Sequence, residues 1–166
     1  MKTLLDSHSR HIYLMPGEVV VASQPVLVST ILGSCISVTM FSPSLGIGAI
    51  CHAMHPDRSG RHHDLRYVDT AIHYIYRKAC EFGVADDLEI KLFGGSQVLA
   101  VDRQHPGNLT MGRKNVARAQ EILAQLGLTV AKTDVGGSRG RKLFFSARNG
   151  DVFVSLLGDG SLSVEG

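Results

Sequence analysis

Two side chains that could do chemistry together, the Cys35 thiol and the His52 imidazole, flank a predicted β-hairpin. Residues 36–41 and 47–52 are apolar or alternating runs, and the Ser/Pro cluster at 42–45 is a turn signal. A four-residue loop there sets a register in which Cys35 faces His52. Directly opposed residues have Cβ atoms about 4.5–5.5 Å apart. The sequence therefore predicts a Cys–His dyad within hydrogen-bond reach.

Such a pair makes Cys35 a candidate nucleophile. The thiolate is the reactive form of cysteine, and an adjacent imidazolium stabilises it. We therefore expect His52 to lower the pKa of the Cys35 thiol. Gly33 and Ser34 precede the cysteine at a strand start, where backbone N–H groups can stay unpaired and stabilise an oxyanion. The other two cysteines, at positions 51 and 80, are expected to be small buried apolar residues.

A metal site is the alternative use of these residues, and strand geometry argues against it. Cys51 and His52 are neighbours on a predicted strand and therefore point to opposite faces. His62 and His63 lie in a polar loop. Zinc requires a tightly defined tetrahedral ligand set. We therefore expect neither a metal nor another cofactor. The potential ligands are Cys35, Cys51, His52, His55, His62 and His63.

Length and composition predict one folded domain over residues 1–166, with residues 1–11 loosely held. No apolar run approaches the ~18–20 residues of a membrane-spanning helix, and the first residues lack the apolar core of a signal peptide. Three cysteines without disulfide spacing suit a reducing compartment. We therefore expect a soluble, cytoplasmic protein. A net charge of +2 is too small to imply nucleic acid as a partner.

Hydrophobic periodicity predicts an α+β fold of mainly antiparallel β layers with two helices packed on one side. Asp64 is the expected N-cap of the first helix and Gly83 its stop, and Thr110 is the expected N-cap of the second, over 111–126. The predicted strands outside the hairpin are 18–22, 26–32, 88–93, 128–133, 143–147 and 152–157. Between two of these strands, Arg139, Arg141 and Lys142 form a basic cluster. It either contacts an acidic partner surface or is a solvated turn.

Five motifs in separate parts of the chain are similar, in the same order, to those of one bacterial family. They are the segments 30–38, 48–56, 91–96, 112–115 and 134–143. On these motifs the sequence resembles the CheD family, the chemoreceptor glutamine deamidases of bacterial chemotaxis. The resemblance spans most of the chain, and the family's nucleophilic cysteine and histidine fall on Cys35 and His52.

The resemblance implies hydrolysis of glutamine side chains on the cytoplasmic helices of methyl-accepting chemotaxis receptors, with release of ammonia. It also implies a third catalytic residue with a hydroxyl just upstream of the cysteine, which is either Ser29 or Thr30, with Thr30 favoured. In some members of the family the phosphatase CheC is a partner. The alternative hypothesis is a non-catalytic module that binds receptors or CheC without turning over a substrate.

Overall fold

The predicted hairpin lies in the middle of one of two mixed β-sheets. A computed structural model describes residues 8, 10–57, 64–97, 109–158 and 163–165. Within them the elements are β1 (Arg10–Tyr13), β2 (Val19–Ala22), β3 (Val26–Leu32), β4 (Ile36–Ser42), β5 (Ile47–Cys51), α1 (Val68–Glu81), β6 (Glu89–Gly94), α2 (Met111–Gln125), β7 (Val130–Val135), β8 (Arg141–Ser146), β9 (Val152–Leu156) and β10 (Ser163–Glu165).

The first sheet has the strand order β1-β3-β8-β9-β10 and the second has the order β2-β5-β4-β6-β7. Neighbouring strands are antiparallel except for the β1–β3 and β6–β7 pairs, which are parallel. The chain passes from the first sheet to the second between β3 and β4, through only three residues, 33–35. Cys35 therefore lies where the chain changes sheets.

Two apolar clusters give the molecule three layers. Alternate residues of the hairpin, such as Ile36, Val38 and Ala49, pack with both helices on one face of the second sheet. Residues of its other face, such as Ile50, pack against the first sheet, and the partly buried Cys35 belongs to this second cluster. The predicted α+β class, with mainly antiparallel layers and two helices on one side, is confirmed.

The hairpin register differs from the prediction by two residues. Ser42 pairs with Ile47 and Phe41 with Gly48, whereas the prediction had Phe41 facing Gly46. Gly46 has a φ of +65°, a left-handed conformation that suits a loop residue rather than a strand residue. The four-residue loop therefore spans 43–46 instead of 42–45. Because side chains alternate, a two-residue shift leaves each side chain on its predicted face.

Other differences concern the ends of elements. Helix α1 begins at Val68 with Tyr67 as N-cap, and the predicted cap Asp64 instead accepts hydrogen bonds from the backbone and guanidinium of Arg66. The predicted Thr110 cap of α2 is confirmed, since its side chain accepts a hydrogen bond from the Arg113 N–H. Strand β1 includes residues 10 and 11 of the segment expected to be loose, and residues 1–7 and 9 lie outside the described residues.

Candidate active site

The Cys35 loop is held in place by the turn that follows β6. The Gly95 N–H donates to the Cys35 carbonyl at 2.8 Å, and the Ser96 N–H donates to the Gly33 carbonyl at 2.9 Å. Gly94 has a φ of +103°, and a Cβ on it would lie 2.3 Å from the Cys35 carbonyl oxygen. Only glycine allows this approach of the two backbones. The glycine pair at the end of β6, Gly94 and Gly95, therefore holds the cysteine loop.

His52 follows β5 and is buried on the face that points toward the first sheet, with 2% of its surface exposed. In the observed register His52 faces Ser37, and Cys35 faces Met54. The predicted direct opposition of Cys35 and His52 is therefore wrong. The two side chains are instead diagonal neighbours on one face, an arrangement that long side chains can still bridge.

Thr30 on β3 joins the histidine to the first sheet. Its Oγ1 lies 2.7 Å from His52 Nδ1 and 2.7 Å from the Leu14 carbonyl oxygen. A carbonyl can only accept, so the single hydroxyl proton goes to Leu14 and His52 Nδ1–H donates to Thr30. This assignment leaves the lone pair on Nε2. That atom is buried and has no hydrogen-bond partner among the described residues.

Ser29, the other candidate for the third position, lies on the opposite face of β3. Its Oγ is 3.0 Å from His11 Nε2, on β1. Neighbouring strand residues point in opposite directions, so Ser29 faces the outside of the first sheet while Thr30 faces the space between the sheets. Of the two hydroxyls, only that of Thr30 contacts the His52 imidazole.

Burial determines the charge states of the Cys35 and His52 side chains. It raises the pKa of the Cys35 thiol, an effect only partly offset by the residue's own backbone N–H. It also lowers the pKa of His52 to about 4, although the Leu14 carbonyl raises it in part. The expected lowering of the Cys35 pKa is therefore wrong for this state of the protein. At neutral pH the pair is a thiol and a neutral imidazole.

The backbone around the cysteine supplies unpaired donors. Within the described part of the chain, the N–H groups of Gly33 and Ser34 donate to no protein acceptor, and the Cys35 N–H approaches only its own sulfur. These residues connect two sheets and belong to neither ladder. N–H groups of this kind can stabilise the oxyanion of a tetrahedral intermediate.

The other two cysteines differ from each other. Cys51 points toward the helices and is fully buried, and burial raises its pKa to about 12. It is therefore the small apolar residue that we expected. Cys80, for which burial was also expected, is exposed on α1.

The basic cluster does not form one surface. Arg141 is 4% exposed, and its guanidinium donates to Asp134 at 3.0 Å and to Ser96 at 2.7 Å. The Arg139 guanidinium donates to the Leu157 carbonyl, and the Lys142 ammonium lies over the Phe144 ring at 5.3 Å. Arg141 is therefore engaged inside the protein, beneath the turn that holds the cysteine loop. Arg139 and Lys142, in contrast, are each partly exposed.

Sequence reasoning missed a role for Asn115 on α2. This residue is fully buried, and its Nδ2 lies 2.9 Å from the carbonyl oxygens of both Ser34 and Met54. It therefore links the segment that bears the cysteine to the segment that follows the histidine. The only sequence signal was its position in the motif 112–115, which gave no role.

Of the potential metal ligands, His62 and His63 lie outside the described residues. Among the residues that are described, no three Cys, His, Asp or Glu side chains are close enough to hold a metal ion. Likewise, no helix in the described segments is long and apolar enough to span a membrane.

Comparison with known proteins gives a consistent group. A family model described as CheD chemotactic sensory transduction matches residues 53–156, a stretch that begins one residue after His52. A relative from Geobacter sulfurreducens, named "Probable chemoreceptor glutamine deamidase CheD 2", is 45% identical over 89% of this chain and 90% of its own length. Two more relatives are named "Probable chemoreceptor glutamine deamidase CheD". The one from Oleidesulfovibrio alaskensis is 40% identical over 93% of this chain and 76% of its own length, and the one from Maridesulfovibrio salexigens is 39% identical over 92% and 95%.

Proposed function

This chain belongs to the CheD family, and we propose that it is a protein-glutamine glutaminase that deamidates chemoreceptor glutamines to glutamate through a thioester on Cys35. The observation that carries the mechanism is the Thr30–His52 hydrogen bond, which leaves the Nε2 lone pair on the face that also bears Cys35. A base oriented in this way by a third side chain is what an activated nucleophile requires.

The first half of the reaction starts from the neutral pair. As the Cys35 sulfur attacks the glutamine Cδ, its proton passes to His52 Nε2. The carbonyl oxygen becomes an oxyanion, which accepts hydrogen bonds from the free N–H groups of Gly33, Ser34 and Cys35. The imidazolium then donates its proton to the departing nitrogen. The C–N bond breaks, and ammonia and a thioester are formed.

Water completes the cycle. His52 Nε2 removes a proton from a water molecule as its oxygen attacks the thioester carbon, and the C–S bond breaks. The proton returns to the Cys35 sulfur, and the product is a glutamate side chain. Throughout, Thr30 accepts the Nδ1–H bond and holds the ring in one tautomer, as the third member of a triad does.

Partner contacts follow from the same assignment. The substrates are glutamines on the cytoplasmic helices of methyl-accepting receptors, so the protein acts in the cytoplasm. Arg139 and Lys142 are partly exposed members of the basic cluster. Their proposed role is to contact an acidic receptor surface, since positive charges near a site raise the encounter rate with an acidic partner. CheC is a further proposed partner.

The test is mass spectrometry of a purified cytoplasmic receptor fragment incubated with the wild-type protein or with Cys35→Ser. We expect glutamine-to-glutamate conversion that Cys35→Ser abolishes, because a serine hydroxyl is a far poorer nucleophile with this base. Conversion by Cys35→Ser at a near-wild-type rate would refute the thioester mechanism. A wild-type protein that binds the fragment without converting it would support the interaction-module alternative.

A further inference from the structure

Asn115 holds two backbone carbonyls that the second sheet does not pair. Its Nδ2 is 2.9 Å from both Ser34 O and Met54 O. A carboxamide nitrogen carries two N–H donors, so one short side chain satisfies both carbonyls. A flipped amide would set its oxygen against two other oxygens, which fixes the orientation. The remaining Oδ1 is buried and has no partner among the described residues.

These bonds replace the end of the β4–β5 ladder. Its last pair is Ile36 with Ala53, which exchange two hydrogen bonds of 2.9 Å. Hydrogen-bonded pairs alternate along an antiparallel ladder, so the next pair would join Ser34 with His55. Instead the His55 N–H donates to the Arg66 carbonyl at 3.1 Å, and Asn115 occupies the Ser34 carbonyl. The His55 carbonyl, which would pair with the Ser34 N–H, accepts from the Val68 N–H at 2.8 Å, and the Ser34 N–H has no acceptor in the described part of the chain.

The helix that carries Asn115 is seated on the same turn that holds Cys35. A Cβ on Gly112 would lie 2.5 Å from the Gly95 carbonyl oxygen. The Gly95 N–H, in turn, donates to the Cys35 carbonyl at 2.8 Å. Helix α2 and the cysteine loop are therefore fixed to one another through two independent contacts. A change at Asn115 is transmitted to the loop and not absorbed by movement of the helix.

We propose that Asn115 is a positioning residue for the oxyanion site. By taking the place of His55 at the Ser34 carbonyl, it keeps residues 33–35 out of the ladder. The Ser34 N–H thereby stays free to donate to the substrate oxyanion. This inference rests on the proposed thioester mechanism and extends it to a residue that touches neither the substrate nor the Cys35 sulfur.

The experiment compares Asn115→Ala with Thr110→Ala, which removes the N-cap of the same helix and touches neither carbonyl. Two rates are measured for each variant: deamidation of the receptor fragment, and alkylation of Cys35 by iodoacetamide, followed by peptide mass spectrometry. Alkylation requires the sulfur but forms no oxyanion. A melting temperature for each variant shows how much stability is lost.

Loss of a well-aligned oxyanion donor lowers kcat by about 10²–10³-fold in proteases. A displaced donor loses less, so we expect kcat of Asn115→Ala to fall roughly tenfold or more, with KM nearly unchanged. Cys35 alkylation should stay within about threefold of wild type, a change of under 1 kcal/mol. Thr110→Ala should lose stability but keep both rates.

Other results for the kcat and the Cys35 alkylation rate of Asn115→Ala would refute the inference. A kcat for Asn115→Ala within threefold of wild type would overturn this inference. Alkylation that falls in parallel with kcat would show that Asn115 acts on the thiol and not on the oxyanion. If Asn115→Ala does not fold, Asn115→Ser is measured instead, because its hydroxyl keeps one donor, and the same two outcomes decide. Full activity in Cys35→Ser would refute the proposed function itself, whatever Asn115 does.

Discussion

Replacing Thr30 with valine removes one buried hydroxyl and almost nothing else. The two side chains have the same shape, so the space between the sheets stays filled. The hydroxyl makes two hydrogen bonds of 2.7 Å, one with His52 Nδ1 and one to the Leu14 carbonyl. Valine removes the hydrogen-bond partner of both His52 Nδ1 and the Leu14 carbonyl. Solvent cannot replace it there, because Thr30 is fully buried.

The expected magnitude depends on what the imidazole can do next. An unpaired buried polar group costs about 1–3 kcal/mol. The Leu14 carbonyl already lies near the His52 ring, where it raises the pKa of the imidazole. In Thr30→Val the Nδ1–H can therefore turn to this carbonyl, so one rearranged bond can satisfy both orphaned groups. We expect a loss of about 1–2 kcal/mol in the free energy of unfolding, at the low end of that range.

The same rearrangement limits the kinetic loss. The ring keeps its tautomer, but its Nε2 rotates away from the position that serves Cys35. We expect kcat to fall by about 10²-fold, as for other misplaced bases. The assay is conversion of the receptor fragment, with Ser29→Ala and Thr30→Ser as controls. Ser29 contacts His11 outside the site, and Thr30→Ser keeps the hydroxyl, so both should stay close to wild type. Thr30→Val with a kcat within threefold of wild type would refute the role of Thr30.

Three further predictions follow from burial. Burial lowers the pKa of His52 from about 6.5 in the unfolded chain to about 4, so the unfolded state binds more protons between these values. The stability should fall, by up to about 3 kcal/mol, as pH drops from 6.5 to 4, and His52→Gln should remove this dependence in urea titrations. Iodoacetamide at pH 7 should label the exposed Cys80 faster than Cys35, whose pKa is raised, and should not label the buried Cys51 in the folded protein; equal labelling of all three would contradict the burial described. Arg141→Ala leaves Asp134 without its partner and should destabilise the protein by about 3 kcal/mol, whereas Lys142→Ala should cost under about 0.5 kcal/mol, as thermal unfolding would test.

The elements that the sequence predicted well are those whose signals are local. Helix α2 has an apolar stripe and a Thr110 cap, and both act within one turn. Strand β1 was missed because its four residues, Arg10–Tyr13, are mostly exposed and polar, and they become a strand only by pairing with β3. Asp64 looked like a cap from its residue type, but its carboxylate bonds to Arg66. The β1 strand depends on a partner distant in sequence, and the role of Asp64 depends on which of two local hydrogen bonds its carboxylate forms. Residue types alone reveal neither.

The site was predictable in part for a related reason. The face on which a side chain lies depends only on odd or even position, so Cys35 and His52 were placed on the correct face despite a register error of two residues. The charge state was not predictable from the hairpin. The groups that surround the imidazole, Thr30 and the Leu14 carbonyl, both belong to the first-sheet layer: Thr30 lies on β3, and Leu14 directly follows β1. The predicted lowering of the Cys35 pKa required a charged His52 imidazolium. Burial of His52 between the two sheets disfavours that charged form.

The position of Cys35 between the two sheets would allow a β-sandwich to support the proposed chemistry. A strand within a ladder has no spare N–H groups, because each is bonded to a neighbouring strand or faces solvent. Residues 33–35 leave the first sheet at Leu32 and enter the second at Ile36, so their N–H groups belong to neither ladder. Their carbonyls are nevertheless bonded, to Ser96, Asn115 and Gly95 in turn. The loop is therefore fixed through its acceptors, while its N–H groups have no protein acceptor among the described residues. Binding an oxyanion requires this combination, since a donor must be rigid and unoccupied before the substrate arrives.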